Sequence, residues 1–148
     1  MFRILLCSAP EDKNHHAAFA KQLAVHPSVV VDTFGSISAG SDIARAMFEK
    51  VTAANCILFL LSSDFAADDF NMELVRQVVK LRPELVESGW VVNVVIRAHL
   101  WDINPLLASL PTLRRGEVTS DDATRAQAVK ELYKWLFSLG LRLEQGGH

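Results

Sequence analysis

The sequence predicts a three-layer α/β domain built on a mostly parallel sheet. Short apolar runs that are continuous rather than alternating, helical stripes between them, and the regular alternation of the two along the chain carry that expectation. A strand covered on both faces reads as an unbroken apolar run, whereas a strand with one wet face alternates. At 148 residues, 50% of them hydrophobic and 22% charged, the chain is long enough for a single packed core with no disulfide or metal to staple it.

The elements follow in order. Ile4 to Cys7 is the first strand run, and Phe19 and Leu23, with Ala20 and Ala24, make the first helical stripe. Val29-Val30-Val31 is the next strand candidate, followed by the stripe Ile43, Met47, Val51. Cys56 to Leu61 is the longest apolar run, and Met72, Val75 and Val79 form the stripe behind it. Val91 to Ile96 is broken only by Asn93. That amide is expected to be hydrogen-bonded or at an edge, because an unpaired buried one costs about 1–3 kcal/mol. A last helix carries Ala126, Val129, Leu132 and Leu136, opened by Ser120-Asp121-Asp122, whose acids suit a helix N-terminus. Right-handed crossovers then give a flavodoxin-like fold, a five-stranded parallel sheet in the order 2-1-3-4-5 flanked by helices. Periodicity stops after Leu139, so residues 1–139 are expected to form the domain and 140–148 a tail or linker stub.

Fifteen Lys and Arg against 17 Asp and Glu leave a net charge of -2, which offers no general attraction to nucleic acid or an anionic membrane. No apolar run approaches the roughly 20 residues of a membrane span, and no signal-peptide pattern follows Met1, so the expected compartment is the cytoplasm. Cys7 and Cys56 sit inside apolar runs without metal-type spacing and are expected to be reduced and buried.

In such a sheet, ligands bind beyond the carboxyl ends of the strands, which directs attention to residues 8–14, 34–42, 62–70 and 97–111. Cys7 does not open a phosphatase loop, since position 13 holds Lys rather than the required arginine and the loop carries Glu11 and Asp12. Glu11, Asp12 and Asp64 suggest the acid cluster of a phosphoacceptor domain. Against it, Ser62-Ser63 separate Asp64 from its strand, and Arg97-Ala98-His99 stands where a lysine is needed. Neither a P-loop nor a G-x-G-x-x-G cradle occurs. Adjacent His15 and His16 point to different helix faces, so no metal site is predicted. Gly35 and Gly40 flank a serine-rich segment of the kind that closes over a ligand or docks a partner. Glu73 should start a helix near the sheet's carboxyl edge beside Phe70, where it either stabilises the helix dipole or serves a site.

These motifs, in this order, resemble those of a bacterial Toll/interleukin-1 receptor (TIR) domain over about residues 2–137. Ile4 to Ser8 with Glu11-Asp12 resembles the opening strand, Ile37-Ser38-Ala39-Gly40 the I-x-x-G loop, and Ala54 to Phe65 the third strand with its S-x-D-F exit. Glu73-Leu74 falls at the glutamate of the third helix, and Trp101-Asp102 with Leu110-Pro111 resembles the later Trp and Leu-Pro. Two positions depart from the pattern: Asp69 stands where an aromatic precedes the glutamate, with Phe70 one place later, and Phe34 stands where the loop's acid is common.

The resemblance implies an NAD⁺ glycohydrolase that releases nicotinamide and ADP-ribose or a cyclised form, with Glu73 catalytic, NAD⁺ as substrate and no further cofactor or metal. It implies that Ser8, Asp12, Phe34, Ser36 and Phe70 line the pocket. Gly35, Ile37, Gly40 and Asp42 are expected to mediate self-association, which completes the pocket and acts as the switch, under a fused or separate sensor domain. A bacterial signalling or antiviral defence role follows from the same likeness. The alternative is a TIR interaction module without catalysis.

Overall fold

The computed structural model describes residues 1–34 and 42–143. Among these, four strands form one parallel sheet in the order β2-β1-β3-β4, with β1 at Phe2–Cys7, β2 at Val29–Asp32, β3 at Cys56–Leu61 and β4 at Val91–Val95. The order is the expected one, and the registers Ile4↔Val31, Leu6↔Leu58 and Phe59↔Asn93 fix it. Every residue of β3 and β4 is buried, which is why both read as unbroken apolar runs.

Among the described residues, a single parallel bridge, Asn93 to Thr112, stands where a fifth strand was expected. Asn93 N–H donates to the Pro111 carbonyl at 2.8 Å and Thr119 N–H to the Val95 carbonyl at 2.7 Å, so the edge of β4 is met only at two points. Between them the chain turns away through Leu113–Gly116, with Arg114 and Arg115 left-handed (φ 54° and 55°). Gly116 continues this at φ 84°, where a Cβ would stand 2.7 Å from the Trp101 ring, so glycine is required on both counts.

Helices cover both faces. On one side α1 (Lys13–Leu23) and α7 (Asp122–Ser138) pack over Ile4, Leu6, Leu58 and Val92. On the other, α2 (Ile43–Ala53) and α4 (Asp69–Leu81) cover Leu5, Ile57, Phe59 and Val91. Short helices α3 (Ser63–Ala67), α5 (Pro83–Glu87) and α6 (Pro105–Ala108) bury Phe65, Leu85 and Leu107 on this second side. The stripe on α4 is rotated from the expected one: Asn71, Leu74, Val75 and Val78 are buried, while Met72 and Val79 are only partly so. The domain also extends past Leu139, because Leu141 is buried in the α1/α7 face of the core and Leu143 packs against it. Asn93 meets its expectation, donating its side-chain amide to the Leu107 carbonyl at 2.8 Å. Cys7 and Cys56 are free and buried, with burial pushing the Cys56 thiol up to about 12. No helix among the described residues is long and apolar enough to cross a membrane.

Candidate functional site

Two grooves adjoin at the carboxyl edge of β1 and β2. The first, of about 460 Å³, is walled by Ser8 after β1, Lys13 and His16 from α1, Thr33 and Phe34 after β2, and Asp68, Phe70 and Asn71 at the start of α4. The second, of about 540 Å³, lies between α2 and α4 and is lined by Ile43, Met47, Phe48, Phe70, Glu73 and Gln77 among others. Phe70 belongs to both. Its ring meets Phe34 edge-on, with centroids 5.2 Å apart and planes at 84°, the arrangement that aromatic quadrupoles favour.

Local sequence explains how these groups are held. Asp68 caps α4, its carboxylate accepting from the Asn71 backbone N–H at 3.4 Å and from the Asn71 side chain at 2.7 Å. The same Asn71 amide donates to the Ser8 carbonyl at 3.1 Å, tying the end of β1 to α4. Asn71 is therefore buried although polar, and the apolar stripe could not reveal it. The Asp68-x-x-Asn71 spacing, a cap followed by its acceptor's partner, is the signal that could have. His16 carries no metal-type spacing, and its role here is a different one. Its Nδ1 lies 2.6 Å from Ser8 Oγ, and burial holds the imidazole pKa below its ordinary value.

Glu73 is the fifth residue of α4, one turn further in than a dipole-stabilising position. Its side chain is 47% exposed, accepting from Arg76 Nε at 3.0 Å and Gln77 Nε2 at 2.8 Å. The Gln77 and Arg76 hydrogen bonds hold its carboxyl below the usual carboxylate range, so the rim of the second groove carries an ionised carboxylate paired with Arg76. Phe70 and Glu73 are three residues apart on one helix and so share a face.

Asp12 is placed elsewhere. The turn Pro10–Asp12 buries its side chain, which lines neither groove; it accepts from Ser62 Oγ at 2.5 Å and faces Arg97 Nε at 2.8 Å. Arg97 also pairs with Asp64, and these two carboxylates, Asp64 foremost, hold the guanidinium even more firmly protonated. The guanidinium thus occupies the place between the acids where a phosphoacceptor site would hold a cation. Among the described residues, no three His, Cys, Asp or Glu side chains converge on a metal position. Asp42 caps α2, accepting from the Arg45 N–H at 3.0 Å. Gly35, Ser36, Ile37 and Gly40 lie outside the described residues.

No protein-family model and no curated protein matches this sequence. Among solved structures, the fold is similar to the TIR domain of the Toll-related receptor TRR-2 from Hydra magnipapillata. The TM-score is 0.63 at 12% identity, over 93% of this chain and 99% of that one. The chain therefore has the fold of a TIR domain.

Proposed function

From that fold, we propose that the chain is an NAD⁺ glycohydrolase and that its substrate lies across Phe70, reaching from the Ser8 groove to Glu73. The observation that carries the reading is Glu73: an ionised carboxylate on a groove rim, one helical turn from an aromatic ring that both grooves share. Nicotinamide is a cationic leaving group and departs neutral, so no general acid is needed. The transition state gathers positive charge on the ribose, and a fixed carboxylate beside it lowers that barrier. Phe34 and Phe70 supply the aromatic surface for the nicotinamide ring once their edge contact opens. Ser8 borders the ribose, and Asp12 supports the sheet edge from below rather than touching substrate.

In this account the protein acts in the bacterial cytoplasm as a signalling or defence effector, switched on when copies assemble. Purified, concentrated protein incubated with NAD⁺ is expected to release nicotinamide, read by chromatography; its absence at assembly-promoting concentration contradicts the reading. A second reading, an interaction module without catalysis, draws on Ile43 and Phe48, 50% and 52% exposed along the second groove, and on the likeness to a receptor domain. Self-association without nicotinamide release is its expected outcome.

A further inference from the structure

The reaction proposed above releases a proton as well as nicotinamide, and the first groove holds a hydroxyl and imidazole pair able to take it. When the bond between ribose C1′ and the nicotinamide nitrogen breaks, its electron pair leaves with nicotinamide, and an oxygen nucleophile must then bond to C1′ and lose a proton. That proton can pass to solvent or, with a gain in rate, to an acceptor in the groove. Ser8 Oγ and His16 Nδ1, 2.6 Å apart, both line the first groove. A hydroxyl hydrogen-bonded to an imidazole is the arrangement through which a proton is drawn off a third group. The Asn71 amide holds the Ser8 carbonyl, and Ser8 is thereby fixed between β1 and α4.

We infer that Ser8 and His16 form the proton-accepting arm of this site, Ser8 touching the nucleophile and His16 acting behind it as a positioning residue. The inference rests on the reading of the grooves as an NAD⁺ site. The nucleophile is water or a ribose hydroxyl. As its oxygen bonds to C1′, its proton passes to Ser8 Oγ, the Ser8 proton passes to His16 Nδ1, and the resulting imidazolium gives a proton to solvent. With water as nucleophile, one NAD⁺ and one water yield nicotinamide, ADP-ribose and one proton. Burial favours the neutral imidazole that this step requires. The charged groups facing it in the groove are Lys13, one turn earlier on α1, and Asp68, which is already engaged by Asn71; the Cys7 thiol is held neutral by burial.

The test is the pH profile of nicotinamide release by the wild type, His16→Gln and Ser8→Ala at saturating NAD⁺. The wild-type kcat is expected to fall on the acid side as His16 protonates. His16→Gln should lose that limb and about 10²-fold in kcat, the lower end for general-base removal, with KM little changed. Ser8→Ala should do the same, and the double variant should lose no more than either single one, since one proton path is cut once. Profiles of wild type and His16→Gln that coincide in shape and rate, while Glu73→Gln still lowers release by about 10²–10³, overturn this inference alone. No release from wild type overturns the NAD⁺ reading and this inference with it.

Discussion

Asp12 and Glu73 are two carboxylates near the same edge of the sheet, and they are built for opposite ends. Asp12 is 1% exposed, accepts from a serine hydroxyl and faces a guanidinium, so both its oxygens are engaged away from solvent. Glu73, at 47% side-chain exposure, is oriented by Arg76 and Gln77 from its own helix, with a groove before it. The contrast teaches that an acid at the carboxyl edge of a parallel sheet is not a site by position. It becomes one when its neighbours fix its charge without enclosing it. Opposite charge does the enclosing at Asp12, where the pairing of Arg97 with Asp64 draws a half-exposed side chain over a buried one.

Breaking the Asp12 cluster should give the largest change in stability. Arg97→Met leaves the buried carboxylate with Ser62 alone. The expected loss is about 3 kcal/mol, between the cost of an unpartnered buried polar group and that of a stranded buried charge, since Arg97 is itself 41% exposed. Urea unfolding measures it, and a loss under about 1 kcal/mol would mean that the cluster is ornamental. Asn71→Ala, which removes the donor to both Ser8 and Asp68, should cost about 1–3 kcal/mol by the same measurement. Asp68→Ala removes the α4 cap but leaves the Asn71 to Ser8 bond, and about 1 kcal/mol is expected.

The smallest effect sharpens the groove side of the comparison. His16 has a folded pKa below its ordinary value, so between that folded value and about 6.5 the unfolded chain binds more protons than the folded one. Stability should therefore rise with pH through that window and fall as pH drops through it. Thermal midpoints of wild type and His16→Gln from pH 7 to 5 should converge or cross for this reason, and parallel curves would place His16 in free solvent.

The sheet order was legible because burial on both faces leaves no polar residue in β1 or β3 inward of Arg3, and because Asn93 alone interrupts β4. The lone bridge beside β4 was not, since the chain there turns away through Arg114 and Arg115 in left-handed conformations that their residue type does not announce. Near that edge, the position of Glu73 and Phe70 on one face of a helix was legible from their spacing. The fate of Asp12 was hidden because its partner Arg97 is contributed from beyond β4, a contact that only the folded topology creates. Asn71 and His16 were hidden for a related reason: each is a polar residue on a helix whose periodicity is carried by apolar ones, and each is held by Ser8 from another element.

Nicotinamide release from NAD⁺ by wild type and Glu73→Gln, measured side by side at equal high concentration with the thermal midpoint of each, bears most directly on the difference between the two carboxylates. Loss of the charge with retention of shape should lower release by about 10²–10³, the scale of one preorganised electrostatic contact, and leave the midpoint unchanged. Equal release from the two proteins would contradict the account and remove Glu73 from the chemistry.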